Sequence, residues 1–179
     1  MLRFENDNLK YYGMYRGLVM DNDDPSEQGR LRVKIYPMFD GIDTKYLPWA
    51  TPAMSLFDGA GSGFGALAIP KEGSFVFTFF EAGDIYQPVY FAEAQTKTYG
   101  IPSGVTTNYP DRKVWKTKNG VTITIDDTKN SELVLVEHPI GSYIKMDALG
   151  VITVIATSDI DITSSGDITI TGTTVNINP

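Results

Sequence analysis

From Leu149 to Pro179 apolar residues alternate with Thr, Asp, Ser and Asn. Ile152 and Val154 are followed eight residues later by Ile160 and Ile162, and eight after that by Ile168 and Ile170. Val175 and Ile177 continue the series one residue early, and Ile144 and Met146 extend it eight residues upstream. A period of two puts each pair on one face of an extended strand, and Gly150, Gly166 and Gly172 mark places to turn. Two aliphatic residues per eight, with small polar residues between them, cannot build a core for a single chain. Repeats that cannot bury their own face must associate, so the pattern predicts an intertwined homotrimer, a β-helix or β-prism, over residues 119–179. Its stripe is Ile144, Met146, Ile152, Val154, Ile160, Ile162, Ile168, Ile170, Val175 and Ile177.

Upstream, the alternation breaks into short strands. Residues 1–12 have no clear period and read as an arm ordered by contact. Residues 13–95 hold a strand running toward Asp21, a turn-rich DNDDPSEQG, and a second strand with Leu31, Val33 and Ile35 on one face and Arg30, Arg32 and Lys34 on the other. A long segment with Pro48, Pro52 and the glycine cluster Gly59, Gly61, Gly63 and Gly65 follows, then a strongly apolar strand Ser74–Phe80 and a last strand Val89–Ala92. Short strands joined by turns and one long segment over this span predict a small closed barrel of the OB type, which leaves no free edge. Residues 96–118 lack alternation, hold Pro102, Gly104 and Pro110, and read as a linker. Beyond it Val121, Ile123 and Ile125 share a face, and either Leu133 with Leu135 or Val134 with Val136 follows. Asn119-Gly120, Lys129-Asn130 and Ala148-Leu149-Gly150 are turn signals. The class is all-β.

Charge and chemistry narrow the functions. The net charge of -7 and a pI near 4.6 oppose a phosphate-backbone partner, so no nucleic acid is expected. With no cysteine there is neither a disulfide framework nor a thiolate metal site. No apolar run approaches the roughly 20 residues of a membrane span, and Met1–Lys10 does not read as a secretion signal. The glycine cluster lacks the Lys-Ser or Lys-Thr ending of a phosphate loop. Asp126 with Asp127, or Glu81 with Asp84, offers a carboxylate pair for glycoside hydrolysis, but their turn-like settings read as hydrated turn carboxylates. His138, the one histidine, is weighed as a ligand on a threefold axis against a surface or interface residue, and the latter fits its Pro-Ile-Gly context better. Asp159, Asp161 and Asp167 read as outward acids that keep a β-rich rod soluble rather than as ion ligands. Trp49, Tyr36, Phe39 and Phe57 raise base stacking on an OB barrel; the acidity argues against it, and Trp49, between two prolines, reads as a packed barrel or subunit-contact residue. No catalytic residue, cofactor or metal is expected.

The order Gly-Leu-Val, Asp-Pro, Gly-Arg-Leu-Arg-Val, Leu-Pro-Trp-Ala, Gly-Ser-Phe-Val, Phe-Phe-Glu-Ala-Gly-Asp and Gln-Pro-Val, from Gly17 to Val89, resembles the N-terminal barrel of phage central-spike proteins. These include baseplate assembly protein V, the lysozyme-bearing spike of large contractile-tailed phages, and the valine-glycine-repeat spike of type VI secretion. The resemblance implies an OB barrel in which Gly29-Arg30 opens the second strand, Leu47–Ala50 leads into the middle of the barrel, and Gly83-Asp84 with Pro88 shapes the final hairpin. It also implies a non-enzymatic central spike in a virion tail baseplate or related injection machine, made in the host cytoplasm. Its partners would be a hub protein at the barrel end, a small tip protein at Asn176–Pro179 and the target-cell envelope. The lysozyme domain of the larger spikes has no counterpart between barrel and repeat. Two other functions are kept open: an oligosaccharide- or nucleic-acid-binding barrel, and a peptidoglycan hydrolase.

Overall fold

The structure is a computed structural model that describes residues 9–55, 63–97 and 100–177. It divides into two units, residues 1–100 and 101–179. Regular structure among the described residues is β-strand with short 3-10 turns.

In the first unit β1 (Tyr15–Asp21), β2 (Leu31–Ile35), β3 (Trp49–Pro52), β4 (Phe75–Phe80) and β5 (Pro88–Glu93) close into a barrel in the order β1-β2-β3-β5-β4. All neighbours are antiparallel except β3 and β5, where Thr51 faces Val89 and Pro52 faces Tyr90 in parallel. Closure turns the alternating side chains of every strand toward one interior. Leu31, Val33 and Ile35, the face read from sequence, are buried there with Val19, Val76 and Phe80. Phe39, one of the candidate base-stacking residues, is fully buried in the same core, edge-on to Phe80. Gly17 faces inward opposite Ile35, and a Cβ there would sit 2.2 Å from the Val33 side chain, so β1 can cross the core only without a side chain at this point. The end of the arm belongs to the barrel: the Tyr11 amide donates to the Gly83 carbonyl at 3.0 Å and its ring packs on Phe80. Met1–Asn8, Phe57, Gly59 and Gly61 lie outside the described residues.

The second unit carries β6 (Arg112–Lys116), β7 (Thr122–Asp126), β8 (Leu133–Glu137), β9 (Tyr143–Asp147) and β10 (Ile152–Ile155). They form one antiparallel sheet in strict chain order, each strand paired with the next. Two expectations change here. Residues 96–118 are not all linker, because a 3-10 turn at Val105–Asn108 and strand β6 lie within them. The strand escaped the pattern because Val114 and Trp115 are adjacent and face opposite sides, which erases the alternation. The β-helix expected over residues 119–179 would wind the strands about an axis. Up to Ile155 they instead fold back within one chain: Met146 faces Ile152 and Ile144 faces Val154, so the eight-residue step between these pairs is a hairpin. The reason is the turn. The Asp147 carboxylate accepts the Leu149 and Val151 amides at 3.1 Å each, and Gly150 takes a φ of +76°, which reverses the chain at once. Residues 156–177 keep the period but have no strand partner among the described residues.

Candidate assembly surface

The alternation of β6 to β10 and the register of their pairing decide what each face of the second sheet presents. One row across the five strands reads Trp115, Ile123, Val136, Ile144 and Val154, and the next reads Lys113, Ile125, Val134, Met146 and Ile152. Nine of these ten side chains are apolar, and the sole cation, Lys113, sits at the end of its row and is held by the Asp127 carboxylate. The opposite face carries Thr122, Thr124, Asp126, Glu137 and Lys145 together with Leu133 and Leu135. The two choices left open for β8 are thereby decided: Val134 and Val136 join the stripe.

The exposure of the two faces is inverted from that of an ordinary half-buried sheet. Eight residues of the apolar face are between 37% and 67% exposed, from Val134 to Ile152, whereas Thr124 and Asp126 on the polar face are buried. The segment around the 3-10 turn accounts for this cover. Asn108 donates to Asp126 at 2.8 Å, and Lys116 donates to Ser103 at 2.9 Å. Fully burying a Val, Ile or Met side chain stabilises by about 1.5–3 kcal/mol, so the face holds a gross hydrophobic term on the order of 10–20 kcal/mol that one chain does not use. Contiguous exposed apolar surface on this scale marks an interaction site. The stripe runs on into residues 156–177, where Ile160, Ile162, Ile168, Ile170, Val175 and Ile177 are all exposed.

The other residues singled out by sequence are occupied with structural work. Asp126 accepts from the Thr128 hydroxyl at 2.6 Å, the Thr128 amide at 3.0 Å and Asn108, with Arg112 at 3.6 Å. The Thr128 hydroxyl first, then its amide, Asn108 and Arg112, hold the Asp126 carboxyl below the usual carboxylate range. Its supposed partner Asp127 pairs with Lys113 instead. Asp84 accepts the Tyr86 amide at 3.0 Å and the Gln87 side chain at 3.1 Å in the turn that Glu81 begins, with Glu81 exposed. His138 is exposed in the β8–β9 turn, where its amide donates to Ser142. Asp159, Asp161 and Asp167 are exposed.

The cations opposite Leu31, Val33 and Ile35 do not form a free basic strip. Arg30 grips Asp24 through Nε at 3.0 and 3.1 Å and Nη2 at 2.6 Å. Asp24 also accepts the amides of Ser26, Gln28 and Arg30. The Arg30 fork, with these amides behind it, holds the Asp24 carboxyl far below its ordinary value. Arg32 lies 4.5 Å from the Trp49 ring centre with Arg30 at 5.5 Å, and Arg32 donates to the Thr44 carbonyl at 2.9 Å. Trp49 is thus a packing residue of the barrel wall, while Tyr36 is exposed. A groove of about 250 Å3 on the barrel, between Met54, Leu67, Ile69 and Phe91, adds a smaller apolar opening.

Sequence reasoning found the part of the apolar face that lies on the eight-residue step and missed Trp115, Ile123, Ile125, Val134 and Val136 as members of it. The signal was present as period-two alternation in each strand, but the pairing register that aligns the strands is not written in any one of them. No curated protein sequence matches this chain. A family model does: residues 15–93 match the type VI secretion system/phage-baseplate injector OB domain. The match starts at the first residue of β1 and ends at the last of β5, so it covers the closed five-stranded barrel and stops before the second unit. The barrel, residues 15–93, is therefore similar in sequence to the injector OB domain of phage baseplates and type VI secretion systems.

Proposed function

We propose that this chain is the central spike of a contractile phage tail baseplate or a related injection machine, acting as a homotrimer. The barrel docks on a hub, and the second sheet with its tail forms a rigid β-prism that carries thrust to the target envelope. The observation that carries the reading is the apolar sheet face, joined in one chain to an injector-family barrel. Three copies of a sheet with one apolar face bury that face against one another about a common axis, which a monomer cannot do. The role is mechanical. Backbone ladders around one axis resist bending, and association adds stability in proportion to the logarithm of concentration.

Two further partners fit this reading, a hub protein at the barrel end and a small tip protein at the far end of the tail. Light scattering on the full chain at micromolar concentration tests the central claim. The expected mass is three times the 19.7 kDa of one chain. A stable, compact single-chain particle sinks the reading.

A further inference from the structure

We infer that copies of this chain first recognise one another through the apolar face of the β6–β10 sheet, and that the tail, residues 156–177, acquires its strand pairing only from an assembly this sheet has already put in register. This rests on the trimeric reading above and adds an order of events to it.

The sheet is complete as a backbone. All five strands are hydrogen-bonded within one chain, and the turns between them are closed by their own residues, as at Asp147–Val151. It needs only a cover for one face. The tail lacks both cover and ladder: beyond the link between Thr157 and Ser142, the Gly166 amide donating to Ser164 is its only hydrogen bond among the described residues. Three uncovered tails meeting first would have to fix every residue in an extended form before any pairing rewarded it. Three preformed sheets bury apolar area on contact with little further ordering.

Register points the same way. In the tail, Asp159-Ile160-Asp161-Ile162-Thr163 is followed eight residues later by Asp167-Ile168-Thr169-Ile170-Thr171. A slip of one repeat puts isoleucine on isoleucine again, so the tail specifies its own alignment poorly. The sheet does not repeat. Its rows mix Trp115, Met146, valines and isoleucines in fixed places, and a slip there sets Trp115 or Met146 against the wrong neighbour. Ile152 and Val154 belong to both systems. They are the last pair in the sheet rows and the pair from which the eight-residue series into the tail is counted, so alignment passes through them.

The two edges of the sheet are also unequal. The β6 edge carries Lys113 and Lys116 and has the 3-10 segment beside it, with Ser103 bonded to Lys116, the kind of charge and cover that discourages strand addition. The β10 edge, Ile152–Ile155, has no charged residue and runs directly into the tail. Asp147 and Val151 form a hydrogen-bonded pair, so alternation leaves the backbone groups of Ile152 and Val154 facing away from β9. The bare edge lies where the tail begins.

Two matched full-length double variants test the order: Val136→Thr with Ile144→Thr in the sheet, and Ile162→Thr with Ile170→Thr in the tail. Threonine keeps strand propensity and removes only the apolar surface. Light scattering gives the mass, and hydrogen exchange followed by peptide gives the protection of barrel, sheet and tail. Unchanged barrel protection shows that a variant has folded. In the unaltered trimer the tail amides should exchange at least 100-fold more slowly than unstructured peptide. The sheet variant should fall to single chains and lose all tail protection although its tail is intact. The tail variant should keep the three-chain mass and a protected sheet, and lose protection only beyond Ile155. The reverse pattern, in which the tail variant dissociates and the sheet variant stays assembled with a protected tail, overturns this inference and leaves the trimer standing. A single-chain mass for the unaltered protein overturns both.

Discussion

The barrel and the second sheet are each five strands of alternating sequence, and they place their apolar residues on opposite sides of the solvent boundary. In the barrel, strand β4 closes onto β1, so Leu31, Val33 and Ile35 of the intervening β2 find their cover in the same chain. In the sheet, β6 and β10 remain edges, and Ile123, Val136 and Ile144 find none among the described residues. Strand composition does not separate the two cases. What separates them is closure: a ring of strands has an inside, and an open meander has two outsides. Among the described residues the barrel core is covered by its own chain, and the apolar face of the sheet is exposed.

The comparison can be broken most forcefully by removing equivalent apolar bulk from each unit. Leu31→Ala in the barrel should cost about 2–5 kcal/mol, because Leu31 is fully buried and leaves a cavity, and the loss should not depend on protein concentration. Ile123→Ala on the sheet face should instead shift the melting midpoint by an amount that changes as the protein is diluted. Melts of both variants across a hundredfold concentration range check this; identical dilution behaviour would mean that both faces are covered by one chain. A smaller effect is expected where the barrel wall is tightest. Gly17→Ala drives a methyl group against Val33 and should cost about 1–3 kcal/mol in denaturant unfolding of the barrel, with the assembly of the sheet unaffected.

The smallest effect should come from acid. Asp24 has its pKa lowered in the folded barrel by Arg30 and three amides, so its contribution is complete above the unfolded carboxylate range near ~3.9 and is lost as pH falls through the lower folded value. Asp24→Asn should therefore melt lower than the parent at neutral pH, and the gap should narrow below about pH 4. Thermal melts of both proteins from pH 2 to 7 measure it. A gap that stays constant down to pH 2 would show that the carboxylate charge contributes nothing.

How much of this was legible beforehand depended on whether the partner of each residue lies in the same short stretch. The face of Leu31, Val33 and Ile35 could be read because alternation within one strand is a local property, and the turns at Gly150 and Asn130 because their residue types are. The eight-residue step was visible but ambiguous. It describes the hairpin of Met146 and Ile152 as well as the unpaired series from Ile160 onward, since a hairpin with a five-residue turn and a winding strand advance the pattern equally. Strand β6 was hidden by Val114 and Trp115 standing side by side. The reading of the suspected carboxylates as hydrated turn residues fails for Asp126, which ends strand β7 and is buried, and nothing in the sequence marked it so, because its cover, Asn108, comes from a different element.

The strict chain order of the second sheet has a consequence for time. Every pairing in it joins strands adjacent in sequence, so the whole sheet can grow by successive hairpins, each on a scale of about 1–10 μs. The barrel has no such route. It must bring Tyr15 opposite Thr78 and lay β3 beside β5 although β4 lies between them in sequence, and distant or parallel pairings of this kind are slow. Released from denaturant, the chain should raise its C-terminal sheet first, so that the apolar face is waiting for company while the N-terminal half is still searching for its closure.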